Sequence, residues 1–366
     1  MDLGSIPPIK GADLCECFFN DVARPIIEKF FPGLCYSAGL IGWGSDVLGY
    51  DDTMSTDHMW GPRFQLFLTE LDYHNREKEI SRVFAERLPY QYKGFSTHFG
   101  QPDADDNGTR LREPIKTGCV DPLIDIYTLE NYFELNLGWK TSEEISIPQW
   151  LTFSEYSLLG LTSGRVYHDD LGLELIRKKI SYYPRDIWIW LLASQWKMLA
   201  EEEPLVGRCG YYGDDIGSRL VAARQVQRLM RLGFLMEKRY APYSKWLGTA
   251  YKELETAPEL LPLLETVLTA GTWSERDELL ARVYTVMAER HNTLGLTEVL
   301  ETHTQNFFNR PFHVLYAERF ASALVSRIEN PELRSIPLIG SVTQLTDSVA
   351  LYDDVSLGKK MRNLYD

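Results

Sequence analysis

Gly44-Ser45-Asp46-Val47-Leu48-Gly49-Tyr50-Asp51-Asp52-Thr53-Met54-Ser55-Thr56-Asp57-His58-Met59-Trp60-Gly61-Pro62-Arg63 is the stretch that decides how this chain is read. A Gly-Ser turn closes a short apolar run, Tyr36 to Trp43. An acidic, Ser/Thr-rich loop follows, and Asp57-His58 lead toward a strand pattern, Phe64-Gln65-Leu66-Phe67-Leu68. Glycine has no Cβ, so such a turn brings backbone N–H groups close to a bound phosphate. An acidic residue entering the next strand is placed to hold the Mg²⁺ that bridges phosphates. The stretch therefore points to Gly44 and Ser45 as phosphate contacts and to Asp57 as a metal carboxylate.

Working outward, Asp13 to Phe31 carries apolar residues at helical spacing, with Pro25 expected to kink it. Asn75 to Leu88 reads as a charged helix, Tyr90 to Phe99 as an extended segment, and Arg110 to Ile115 as its return strand. Pro122 to Leu129 alternates, which places Asp125 on the face opposite Ile124 and Ile126. The polar run Lys140 to Pro148 marks a domain boundary. Beyond it the signal is helical: Leu151 to Leu161, Leu171 to Ile180, Ile187 to Leu199, and a long helix from Asp215 to Lys238. That long helix is expected to turn Ile216, Leu220, Ala223, Val226, Met230, Leu232, Phe234 and Leu235 inward. Gly164 to Asp169 reads as a turn with a short extended piece, and Gly210 to Gly213 as a loop. The fold class is α+β: a small mixed-sheet domain, 1–145, followed by a larger helical domain, 146–366.

The composition limits the function classes. An apolar fraction of 44% in 366 residues supports full cores, and a formal charge of −14 argues against a nucleic-acid surface. The five cysteines, Cys15, Cys17, Cys35, Cys119 and Cys209, have no metal-ligand spacing and read as free, largely buried thiols of a reducing compartment. Met1 to Gly11 lacks a signal-peptide core, and the most apolar stretch, Ile187 to Ala193, is too short to span a bilayer. The expectation is a cytoplasmic protein with a small-molecule substrate and no membrane or nucleic-acid partner. The sequence leaves oligomeric state and acceptor identity open.

Gly44-Ser45 followed by Asp57 and a strand resembles the nucleotidyltransferase superfamily, which includes the antibiotic-modifying nucleotidyltransferases. The strings Gly44-Ser45-x-Val47-Leu48-Gly49, Ser55-Thr56-Asp57-His58-x-Trp60-Gly61-Pro62-Arg63, Trp150-Leu151-Thr152-Phe153 and Arg239-Tyr240-Ala241-Pro242-Tyr243-x-Lys245-Trp246 are most similar to its branch of unknown function, domain of unknown function 4037. The resemblance implies transfer of a nucleotide from an NTP, ATP foremost, with Mg²⁺, to a small hydroxyl- or amine-bearing molecule. In that pattern two carboxylates alternate on one strand and a third comes from a neighbouring strand. Asp57 fits the first position and Asp125 the third. The second is Met59, a thioether that ligates Mg²⁺ poorly. Arg63 is a candidate phosphate contact, with a surface salt bridge as its structural alternative. His58 is the acid–base candidate if nucleotidyl transfer has been lost. His98 reads as a core histidine or a cleft residue. Asp214 opens the long helix as a cap or, by the resemblance, as the base that activates the acceptor. Lys245, on an aromatic turn, is a candidate triphosphate contact or a stacking cation. Trp188, Trp190 and Trp196 read as core. The alternatives to transfer are metal-independent acid–base chemistry on a small metabolite, or ligand binding without turnover.

Overall fold

The computed structural model describes residues 9–56, 58–106 and 108–365, with the backbone alone at 352 and 353. The chain divides into two compact units. One holds the described residues up to Glu144 together with Ser157–Ser181; the other holds Ile145–Tyr156 and the residues from Tyr182 onward.

The first unit contains β1 (Tyr36–Leu40), β2 (Arg63–Leu68), β3 (Gln91–Tyr92), β4 (Phe95–Ser96), β5 (Leu123–Thr128) and β6 (Arg165–Asp169). Four of them build one sheet in the order β5-β2-β1-β6. β1 runs antiparallel to β2 and β6, and β2 runs parallel to β5, so the sheet is small and mixed. β3 and β4 form a separate hairpin closed by Lys93 and Gly94, both at positive φ, the geometry that matches strand twist. The return strand expected from Arg110 is reduced to isolated bridges, Phe99 with Arg112 and Asp103 with Thr109.

Period-2 alternation sorts the sheet into an apolar and a polar face. Tyr36, Ala38, Phe64, Leu66, Leu68, Ile124 and Ile126 pack into one core with Phe18, Phe19, Ile27, Ile80 and Phe84 from the covering helices. Arg63, Gln65, Asp125 and Tyr127 are on the other face, with Gln65 directly opposite Asp125.

The helices of this unit are α1 (Gly11–Phe18), α2 (Arg24–Phe30), α3 (Ser45–Leu48), α4 (Glu70–Arg87) and α5 (Leu129–Leu137). After α6 (Ile147–Thr152), which belongs to the second unit, come α7 (Glu155–Thr162), whose first two residues also belong to the second unit, and α8 (Leu173–Lys179). Where a kink was expected at Pro25, the structure has a π-helical turn, Phe19–Ala23, and Pro25 stands in the first turn of α2. α4 starts earlier than expected because the Thr69 side chain accepts from Asp72 N and two acids occupy the first turn. Leu151 to Leu161 is not one helix. α6 stops at Thr152, with Phe153 extended, and α7 begins at Glu155.

Gly160 of α7 is packed so tightly that a Cβ would lie 1.9 Å from the Gly42 carbonyl oxygen. The Gly160→Ala variant is therefore expected to lose about 1–3 kcal/mol of stability, read as a shifted urea midpoint.

The second unit is built from α9 (Arg185–Ala200), α10 (Leu205–Tyr211), α11 (Asp215–Met236), α12 (Ser244–Tyr251), α13 (Ala257–Thr269), α14 (Trp273–Thr293) and α15 (Glu318–Val325), with shorter pieces to the C-terminal side. Trp188, Trp190 and Trp196 are buried on α9, and their Nε1 groups donate to Leu235 O, Ile336 O and His291 Nδ1. Gly207 and Gly210 lie inside α10 rather than breaking the chain, because the Trp273 ring packs directly on Gly210. Among the described residues no helix is long and apolar enough to cross a membrane. All five cysteines are free, Cys15 is buried, and Cys35 and Cys119 are exposed.

Candidate functional site

The Gly44 turn is fixed from several sides. Ile41 N donates to Gln65 Oε1 at 3.1 Å, and the Tyr132 hydroxyl donates to Ile41 O at 3.2 Å. Gly42 N donates to Gly160 O at 2.9 Å. Gly44 has φ +136, and a Cβ there would fall 2.4 Å from Asp46 Oδ1 and 2.7 Å from Arg63 Nη2. Only glycine fits, both for its backbone angle and for the ion pair beside it. Ser45 follows as the first residue of α3 and is half-buried.

That ion pair was not anticipated. Arg63 Nη2 donates to Asp46 Oδ1 at 2.7 Å and to Oδ2 at 2.9 Å, and Nε donates to Oδ2 at 3.2 Å. Both residues are buried. Arg63 is thus neither a surface salt bridge nor an uncommitted phosphate contact. Burial opposes its charge, yet Asp46 and then Cys15 hold its pKa above the ordinary arginine value. Cys15 is sealed in the same place, with Sγ donating to Gly61 O at 3.1 Å. Burial first, and the Asp46 charge second, push its thiol up to about 12. The signal for the pair is an acid directly after the Gly-Ser turn and an arginine at the first position of the next strand.

Asp125 lies on the same face of the sheet, half-buried on β5. Burial raises its pKa, while Arg63 and Arg110 pull it back down. Among the described residues it accepts no hydrogen bond. Its charge also reaches Tyr127, whose hydroxyl is pushed up to about 12 by burial and then by Asp125.

Asp57 lies outside the described residues. The chain after it does not alternate as a strand. Met59 has φ 46, Gly61 has φ 145, Pro62 follows, and β2 begins only at Arg63. Met59 is therefore not on a strand, and the expected face it would share with Asp57 lies outside the described residues. His58 pairs across 3.2 Å with Asp106, both side chains exposed. Asp51 is buried rather than solvated. It accepts from Gly11 N at 2.8 Å and Trp60 Nε1 at 3.1 Å, and it faces Lys10 Nζ at 3.3 Å. Asp52 caps its own loop through Met54 N and Ser55 N. His98 is not on a strand; its Nδ1 accepts from Asp121 N at 2.8 Å.

The remaining candidates belong to the second unit. Asp214 is the N-cap of α11 and accepts from Gly217 N at 2.8 Å. Lys245 is on α12 rather than on a turn, exposed, with Nζ 5.0 Å from the Trp246 ring centroid.

No group of three or more His, Cys, Asp or Glu that would hold a metal occurs among the described residues. Asp46 is committed to Arg63, and Asp51 to Lys10, Gly11 and Trp60, so among the described residues Asp125 is the carboxylate on the polar face with capacity to spare. Mg²⁺ commonly keeps several waters and takes one or two carboxylates plus substrate phosphates, so a preformed cage is not required. Asp125 fits that donor set.

The family model of a domain of unknown function, DUF4037, matches residues 150–247, less than half of the chain. Two of the four strings behind the resemblance, Trp150 to Phe153 and Arg239 to Trp246, fall in that segment; the two around Gly44 do not. A crystal structure of a nucleotidyltransferase-like protein from Exiguobacterium sibiricum 255-15 is similar to this chain at 11% identity. It covers 85% of this chain and 90% of that one with a TM-score of 0.34, a likeness that carries no argument about activity. No curated protein matches the chain.

Proposed function

We propose that this protein is a nucleotidyltransferase-like enzyme. It binds an NTP, ATP foremost, with Mg²⁺ on the polar face of the first unit's sheet, and transfers the nucleotide to a small hydroxyl- or amine-bearing acceptor. The observation that supports this reading most is Asp125. It is a half-buried carboxylate with a raised pKa, accepting no hydrogen bond from the described residues, on the sheet face that also carries the anchor of the Gly44 turn. Carboxylates with perturbed pKa values concentrate at functional sites.

In this reading Gly44 and Ser45 offer backbone and hydroxyl donors to phosphate oxygens, while Asp46 and Arg63 hold the turn in shape. Asp125, with Asp57 as the second candidate, binds Mg²⁺. When bound, the ion neutralises phosphate charge. The acceptor oxygen or nitrogen forms a bond to the α-phosphorus and gives up its proton to water, the α–β phosphate bond breaks, and pyrophosphate leaves with that electron pair. The test is calorimetric titration with the four NTPs and Mg²⁺, paired with mass spectrometry of an incubation with small metabolites. Wild type is expected to bind and to yield a mass-shifted product. Asp125→Asn is expected to abolish product while leaving the melting temperature unchanged. No binding by wild type would end the proposal.

A second reading, capture of a nucleotide without transfer, is favoured by Met59 at the position where the resemblance calls for the second carboxylate. Binding without any mass-shifted product would select it.

A further inference from the structure

The chain has nine tryptophans, all among the described residues, and only Trp43 is exposed, at 56%. Trp60, Trp139, Trp150, Trp188, Trp190 and Trp196 are buried, and Trp246 and Trp273 are half-buried. An indole left in water forfeits the large apolar burial that makes tryptophan a core residue. The exception does not sit on a loose loop. Its neighbours on both sides are glycines at positive φ, +98 at Gly42 and +136 at Gly44. The backbone around it is held by the Ile41–Gln65, Tyr132–Ile41 and Gly42–Gly160 hydrogen bonds, and Leu48 N returns to Gly44 O at 3.2 Å. Among the described residues the indole meets no other ring, and its Nε1 meets no acceptor. The fold thus spends a rigid, multiply anchored turn on presenting one flat aromatic surface to solvent, one residue before the proposed phosphate contact at Gly44.

We infer that Trp43 is the stacking platform for the planar base of the bound nucleotide. This rests on the reading of the Gly44–Ser45 turn as the phosphate site. Every base has a π-face, so a single indole tolerates all four bases and confers affinity rather than strict choice. An aromatic beside the turn lets one rigid segment grip both ends of the ligand, phosphate through its backbone and base through its side chain.

The test uses the full chain, titrated calorimetrically with ATP, GTP, CTP, UTP and inorganic tripolyphosphate, each with Mg²⁺, for wild type, Trp43→Ala and Trp43→Phe. Melting temperatures are recorded alongside; because the indole is exposed, both variants are expected to melt with wild type. Trp43→Ala is expected to weaken each NTP by roughly 5- to 150-fold, the range for loss of one base stack, and to leave tripolyphosphate unchanged. Trp43→Phe should recover most of the loss. NTP binding should also quench the emission of wild type, and that quench should vanish in Trp43→Phe. If wild type binds NTPs and Trp43→Ala binds them equally well, or loses tripolyphosphate in the same proportion, the stacking role is wrong while the phosphate site stands. If wild type binds neither, both fall together.

Discussion

Replacing Asp46 with alanine is expected to lower the unfolding free energy by about 3–5 kcal/mol, the largest loss expected from any single change in the first unit. The reason is the uncompensated guanidinium that remains. Arg63 is buried, and three of its hydrogen bonds end on the two Asp46 oxygens. The double change Asp46→Leu with Arg63→Met removes both charges and is expected to return to within about 1 kcal/mol of wild type, because desolvating the pair offsets most of its Coulomb gain. Urea denaturation of Asp46→Leu, Arg63→Met and the double variant completes the cycle. A loss below about 1 kcal/mol for Asp46→Ala would mean that the pair is screened by solvent. The same variants separate structure from chemistry: if Arg63 acts only by holding the turn, the double variant keeps nucleotide affinity once it is folded.

The second large effect is a pH dependence in the other unit. Glu155 is buried at the start of α7, 3.6 Å from Arg231 Nη1, while Arg231 Nη2 is held by Asp347 at 2.8 Å. Tyr182, Tyr183 and Tyr240 surround it, and burial first and the Glu155 charge second raise the pKa of all three. Burial, only partly opposed by Arg231 and by the N–H of Ala241, pushes the Glu155 carboxyl up from 4.5 to about 7. The sign follows from linkage. Between these two values the folded state binds more proton than the unfolded state, so stability is greatest below 4.5 and falls as pH rises through about 7. Glu155→Gln mimics the protonated form. It is expected to exceed wild type by up to roughly 3 kcal/mol at alkaline pH and to converge with it in acid, since each pKa unit is worth 1.36 kcal/mol. Glu203, also raised to about 7 by burial, titrates in the same window, so the quantity to plot is the difference between Glu155→Gln and wild type. A difference that does not change with pH would refute this account of Glu155.

The parts of the fold that were legible in the sequence are those where local pattern and tertiary role agree. Phe64 to Leu68 and Leu123 to Thr128 alternate in sequence and form neighbouring strands, with Asp125 on the face opposite Ile124 and Ile126. Misreadings arose where buried polar groups disguised the period. On α11 the sequence suggested Ile216, Leu220 and Ala223 as inward, yet all three are exposed. The buried face carries Ser218, Val221, Ala222, Gln225, Val226 and Leu229 instead. Ser218 and Gln225 can be buried because Arg276 donates to Ser218 Oγ and Gln225 Nε2 donates to Leu199 O, partners far away in sequence. The candidate site follows the same rule. Gly44 and Asp125 were visible as motif and alternation, whereas Asp46–Arg63 joins positions seventeen residues apart, and its acid-after-turn and arginine-at-strand-start signal is recognisable only once the two segments are known to meet. Met59 shows the limit of motif spacing. An offset of two implies one face only on a strand, and here a left-handed residue, a glycine and a proline delay the strand to Arg63.

In the proposed function the turn after β1 and the carboxylate on β5 serve one ligand. The most direct measurement is a crystal structure of the full chain soaked with a nonhydrolysable NTP and Mg²⁺ or Mn²⁺. Triphosphate density is expected against Gly44 and Ser45, with the base over Trp43 and a metal bound to Asp125 at roughly 2.0–2.1 Å for Mg²⁺. A nucleotide held only by residues of the second unit, or one bound at the turn with no metal on Asp125, would contradict the proposed function.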